Sequence, residues 1–140
     1  MQRVLPLRAA ITFDGLRPPS ACLFDTDTRA EAVHFVAHCD GRDVAAASLS
    51  VEHAVVLGRE VDWKLQFLVV EPQWRGRGIA SALIHRRLAV VSEHGAQWAW
   101  CQARTYAAPL YEHLGARREA RVYDLDPIGP HVNMLYGPLG

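Results

Sequence analysis

The chain has 140 residues, half of them apolar and 21% charged, and its 15 basic and 15 acidic side chains cancel. That composition supplies one compact core of ordinary size and excludes wholesale disorder. The balanced charge excludes a strong field toward nucleic acid or anionic lipid, and no apolar run approaches the roughly 20 residues that span a bilayer.

Residues 3–11 are apolar-rich without a clear period and are expected to form a short element. Arg17, Pro18, Pro19 and Ser20 break regular structure, and Asp25, Thr26, Asp27 and Thr28 read as a polar surface loop. The opening residues, a short stretch soon interrupted by Arg8, are not expected to act as a secretory signal. From Ala32 the alternation of Val33, Phe35, Ala37 and Cys39 with His34 and His38 predicts a strand. A turn at Asp40, Gly41, Arg42 and Asp43 leads into a second hairpin arm over 44–51. Residues 53–60 are expected to connect, although 54–57 could extend the strand. A third strand over 63–70 ends in Phe67, Leu68, Val69 and Val70, apolar on both faces and hence central.

After Pro72 the pattern changes to helical spacing, with Ala80, Leu83, Ile84, Leu88 and Val91 on one face and Arg86 and Arg87 elsewhere. His94 and Gly95 close that helix. A strand over 98–103, a short helix over 107–114, a strand over 117–125, a loop over 126–130 and a last strand over 132–136 complete the chain. The expectation is one α/β domain over 1–140, with hairpin-like pairs flanking a strand–helix–strand unit in a mixed sheet.

The turn Arg75-Gly76-Arg77-Gly78 joins the central strand to the helix. The first N–H groups of a helix lack internal acceptors, the helix dipole adds positive potential, and small residues let a ligand approach the backbone. Such a turn suits a diphosphate. It is not a dinucleotide fingerprint, since Ser81 stands where the third glycine would be, and it lacks the Gly-Lys-Ser or Gly-Lys-Thr of a P-loop.

Val69 and Val70, then Pro72, Trp74 and the run Arg75-Gly76-Arg77-Gly78-Ile79-Ala80, resemble the acetyl-CoA signature of the GNAT superfamily of N-acetyltransferases. Residues 103–115, with Tyr111 ahead of Leu114-Gly115, resemble that family's later segment. Ile128-Gly129-Pro130-His131 with Met134 resembles one branch of small bacterial members. The resemblance covers roughly residues 32–136. It implies a mostly antiparallel twisted sheet around the acetyl-CoA unit. The first 30 residues do not resemble the usual opening elements, which implies that these are shortened.

The resemblance implies acetyl transfer from acetyl-CoA to a primary amine by direct attack. Tyr111 would be the general acid that protonates the leaving thiolate. Leu68, Val69 and Val70 would run beside the pantetheine, with the Val70 N–H near the thioester carbonyl. Arg75, Gly76, Arg77, Gly78, Ile79, Ala80 and Ser81 would hold the pyrophosphate. Gln102 stands where relatives often carry Asn, near the pantetheine. Gln66 stands where some relatives place an acid, so the general base stays open among Glu60, Asp62, Glu71 and His131, with water carrying the proton out as the alternative. The amine acceptor is not identified. The alternative is a non-catalytic acyl-CoA-binding sensor or subunit.

No metal is expected. His34 and His38 lie about 13 Å apart on a strand, too far to share an ion. Cys101, on a strand among tryptophans, reads as a buried inert thiol. Three cysteines without a paired spacing predict reduced thiols and a cytoplasmic location. The shortened opening would leave apolar surface that a second copy could cover, so a homodimer is a further expectation.

Overall fold

The computed structural model describes residues 2–12, 15 and 18–140, without the side chains of 25 and 26. Six strands form one sheet in the order β1-β2-β3-β4-β6-β5, with β1 Val33–Cys39, β2 Arg42–Val56, β3 Arg59–Val70, β4 Ala99–Arg104, β5 Arg117–Leu125 and β6 Gly129–Tyr136. Neighbours pair antiparallel except β3 and β4, which are parallel. The long helix α2, Ile79–Glu93, makes the crossover between these two, and the short helix α3, Ala108–His113, follows β4. The α/β class, the mixed, mostly antiparallel sheet and the central place of the third strand agree with the sequence.

The first two hairpins are tight. Asp40 and Gly41 both take positive φ, as do Leu57 and Gly58, which gives two-residue turns whose twist matches the strands. The second turn corrects the expected connection over 53–60. β2 runs on to Val56, and Val56 pairs directly with Arg59. Leu-Gly is an unusual pair for such a turn, so the local signal is weak. His53 accordingly sits on a strand, 2.8 Å through Nδ1 from Asp62 Oδ1.

The opening segment is also corrected. α1, Val4–Leu7, runs into a π-helical turn at Arg8–Thr12, and 3-10 turns cover Pro19–Cys22 and Asp25–Thr28. The expected break at 17–20 falls partly outside the described residues. Val4 and Leu7 pack against Ala46 and Val69 on one face of the sheet. The expected surface loop at 25–28 carries a buried anchor instead. The Asp27 carboxylate accepts two bonds from Arg8, Nη1 at 2.7 Å and Nη2 at 2.9 Å, and both side chains are fully buried. An ion pair 19 residues apart closes the segment over the sheet.

The other face carries α2. Its Ile84 and Val91 enter a core with Leu49, Leu65, Cys101 and Met134, while Leu83 packs on Ala45, Ala47 and Val70. Arg87, expected off the buried face, is 1% exposed. The reason lies in β3. Phe67 has φ +57, and the register with β2 slips there, between Ala47–Leu68 and Ser48–Gln66. This bulge turns carbonyls toward α2. Arg87 Nη1 donates to Phe67 O at 2.9 Å and to Ser48 O at 3.1 Å, while its Nε donates to Leu83 O at 3.2 Å.

Candidate active site

β3 and β4 pair only at Trp63–Ala99 and Lys64–Trp100. Beyond those pairs the strands part, and their separation opens a cleft of about 1250 Å³. Parting strands leave backbone groups without sheet partners, so the walls offer donors and acceptors along their length.

At one end lies the glycine turn. Gly76 and Gly78 have φ +76 and +82, and a Cβ added to either would meet nothing within 4 Å. The glycines are therefore required by backbone conformation rather than by crowding. Gly78 is the N-cap of α2, no side chain caps the helix, and its first turn carries no acid. The first intrahelical bond is Ala82 N to Gly78 O at 3.0 Å, which leaves the N–H groups of Ile79, Ala80 and Ser81 directed at the cleft mouth. Arg75 Nε donates to Val70 O at 3.1 Å and ties the turn to the end of β3.

The cleft brings together Leu68, Val69, Val70, Arg75, Gly76, Gly78, Ile79, Ala80, Ser81, Gln102 and Tyr111. Arg77 is the exception among the expected cofactor residues. It lies outside the lining, with its guanidinium 4.6 Å from the Trp74 ring centroid. Gln102 pairs with Asn133 on β6, and the Tyr123 hydroxyl donates to the Asn133 side-chain oxygen. Tyr111, on α3, packs against the main core. Burial pushes its phenol up, and the nearby Arg87 pulls it back down. Cys101 is buried and pushed up to about 12 by that burial, so it is a thiol at neutral pH and no nucleophile.

The four base candidates separate cleanly. Glu60 and Asp62 flank His53 at the exposed hairpin, Glu71 binds Arg42 and Gln73, and only His131 lines the cleft. β6 begins at Gly129, inside the expected loop over 126–130, and so places His131 on a strand, opposite Arg104 and Tyr123. Its Nδ1 lies 2.7 Å from Gly129 O. A carbonyl only accepts, so Nδ1 carries the proton and Nε2 holds the free lone pair. Burial, with Arg104 nearby, lowers its pKa.

Two cleft residues escaped the sequence reading. Lys64, 6% exposed, donates from Nζ to Glu52 Oε2 at 3.1 Å, and both line the cleft. Burial lowers the Lys64 pKa against the pull of Glu52. They are 12 residues apart, and the irregularity in β2 between Val51 and Ala54 hides the alternation that would have marked Glu52. Gln66 lines the same wall, with its Oε1 buried and unpartnered. The histidines stand apart: His34 Nδ1 lies 2.8 Å from Ser48 Oγ, while His38 meets Asp43. Among the described residues no group of three or more His, Cys, Asp or Glu could hold a metal ion.

Residues 30–115, more than half of the chain, match the acetyltransferase (GNAT) domain family. An uncharacterized N-acetyltransferase of Bacillus subtilis, YitI, is 26% identical over 122 residues, covering 85% of this chain and 82% of that protein. The crystal structure of Escherichia coli ElaA has a TM-score of 0.77 at 18% identity, covering 96% of this chain and 88% of that one. An aminoglycoside 6'-N-acetyltransferase complexed with coenzyme A has a TM-score of 0.76 at 14% identity, covering 99% and 91%. The chain belongs to the GNAT acetyltransferase family, and its reaction is acetyl transfer from acetyl-CoA to an amine.

Proposed function

We propose that residues 1–140 act as one catalytic unit in which the amine attacks the thioester directly, with Tyr111 as the acid for the departing thiolate. The observation that carries this reading is that the glycine turn, the parted strand β3 and Tyr111 all open onto one cleft. Acetyl-CoA supplies the activated acyl group. The N–H groups at the start of α2 bind its diphosphate, assisted by Arg75, while Arg77 contributes field from outside the lining. Leu68, Val69 and Val70 offer backbone to the pantetheine, the Val70 N–H serves the thioester carbonyl, and Gln102 faces them from β4.

His131 accepts the proton shed by the amine. Its lowered pKa keeps Nε2 unprotonated near neutral pH, which is the state a base needs. Glu52 and Lys64 form the charged wall of the acceptor half. The acceptor is an amine of unassigned identity. Cys22, Cys39 and Cys101 form no disulfide, which suits a reducing cytoplasm. A homodimer would cover exposed apolar residues such as Val55 and Val122, and sizing in solution tests it.

Calorimetric titration with acetyl-CoA, beside desulfo-CoA and ADP, tests the cofactor assignment. Micromolar binding is expected, and no binding at millimolar ligand would refute it. An amine panel followed by thiol release tests turnover. Tyr111→Phe is expected to lower kcat about 10²- to 10⁴-fold, the usual span for a general acid, with acetyl-CoA affinity nearly unchanged. Unchanged turnover would remove Tyr111 from the role.

A further inference from the structure

Arg87 is a buried cation without an anion among the described residues. It is 1% exposed, yet its three hydrogen bonds all go to backbone carbonyls, and its Nη2 has no partner. Among the described residues it enters no ion pair. The ionisable groups around it are Tyr111, Cys101 and Tyr136. Burial pushes all three up, so each is neutral at rest. Keeping an uncompensated charge in such a place is destabilising. The hydrogen bonds to Phe67 O and Ser48 O hold the bulge, but neutral donors would serve carbonyls without that cost. What the positive charge adds is a field at the cleft floor, since Arg87 lines the cleft beside Tyr111.

We infer that Arg87 is a positioning residue whose fixed charge stabilises the negative charge that appears when the thioester breaks. This rests on the acetyl-transfer reading above. As the amine nitrogen bonds to the carbonyl carbon, the C–S bond breaks and its electron pair stays on sulfur. Tyr111 passes its proton to that sulfur and is left as phenolate. The proton shed by the amine, first taken up by His131, then returns to the phenolate and restores the phenol. One negative charge thus moves from sulfur to phenolate oxygen within the cleft that Arg87 and Tyr111 both line. Phenol is an intrinsically weaker acid than a thiol, about 10 against 8.5 in pKa. A neighbouring cation does not close that gap by favouring both anions alike; it eases the C–S cleavage that leaves the thiolate, and it offsets part of the cost of the phenolate that follows.

The test is the thiol of bound CoA, titrated by thiolate absorbance with the desulfo-CoA complex as blank. In the wild-type protein it is expected to ionise about one pH unit or more below free CoA, because an opposite charge shifts a neighbour by that order. Arg87→Gln should return it to the free value or above, and Arg87→Lys should keep most of the shift. In turnover, Arg87→Gln should lower kcat about 10²-fold, the scale of one lost electrostatic contact, with CoA affinity changed by less than about threefold. A bound thiol that titrates no lower than free CoA overturns the inference, even if Arg87→Gln fails to fold, and leaves the acetyltransferase reading standing. Equal titrations in wild type and Arg87→Gln overturn it too. Failure of the wild-type protein to bind CoA overturns both.

Discussion

Two arginines reach the bulge of β3 from opposite faces of the sheet. Arg8 comes from the opening segment, donates to Ser48 Oγ at 2.8 Å and lies with Cζ 4.3 Å from the Phe67 ring centroid. Arg87 comes from α2 and bonds the backbone carbonyls of the same two residues. Each is buried, and each leaves one nitrogen without an acceptor. The difference is Asp27, which neutralises Arg8 and has no counterpart at Arg87 among the described residues. A compensated buried charge closes a structure, whereas an uncompensated one holds a field ready for a charge that arrives later. The face built by the opening segment is thus stapled for stability, while the face built by α2 carries charge for chemistry.

The largest effect should come from splitting the compensated pair. Asp27→Asn leaves Arg8 buried without its anion and should cost about 3–5 kcal/mol in denaturant unfolding. Arg8→Met strands Asp27 and should cost a similar amount, whereas Arg8→Met with Asp27→Leu should recover most of it, because an apolar pair of similar volume often replaces a buried ion pair without loss. Arg87→Met strands only carbonyls and sheds a buried charge, so about 1–2 kcal/mol is expected. Turnover should rank the two arginines the other way. Equal stability losses for Arg8→Met and Arg87→Met would dissolve the contrast.

A smaller effect lies in pH. Burial alone would raise the Asp27 pKa, but the bonds from Arg8 and the Phe24 N–H outweigh it, and the folded value lies below the ordinary 3.8. A carboxylate depressed in the folded state stabilises fully above its unfolded pKa. That stability disappears as pH falls through the folded value. The unfolding free energy should therefore drop as pH falls below about 5, and the drop should be visibly shallower in Asp27→Asn. Parallel curves for the two proteins would mean that Asp27 is not the acid-sensitive anchor.

The contrast between the faces also marks what a sequence can disclose. The glycine turn, the apolar end of β3 and the tyrosine of α3 were legible because each is written in consecutive residues or in a short repeat. Arg8 and Asp27 were not, since nothing local links positions 19 apart. Arg87 was placed off the buried face because the helix was read by its apolar stripe. Its burial depends on carbonyls turned outward by a bulge in another element, and the bulge residue is an ordinary Phe67 with no glycine to announce it. His131 was named as a base candidate, but the start of its strand was hidden, because the Pro- and Gly-rich stretch before it reads as loop whereas β6 begins at Gly129 and pairs Pro130 with Asp124. Glu52 was missed because the β2 irregularity breaks the alternation that would have assigned its face.

The finest distinction lies within α2, between its start and its middle. Gly78 holds the left-handed conformation at the N-cap, φ +82, with open space around it. Gly78→Ala therefore meets no clash, and its cost is the backbone penalty of a side chain at that φ, about 1–2 kcal/mol. The chain can relieve that penalty by turning the first N–H groups of α2 out of alignment, since the turn is exposed and little packing resists. Acetyl-CoA affinity should then weaken by about fivefold in calorimetry, while the thiol titration of bound CoA stays as in the wild type. Arg87→Gln should give the opposite pair of results, with affinity kept and the thiol shift lost. If Gly78→Ala instead moved the thiol titration, the diphosphate end and the thioester end of the cleft would not be separable along α2.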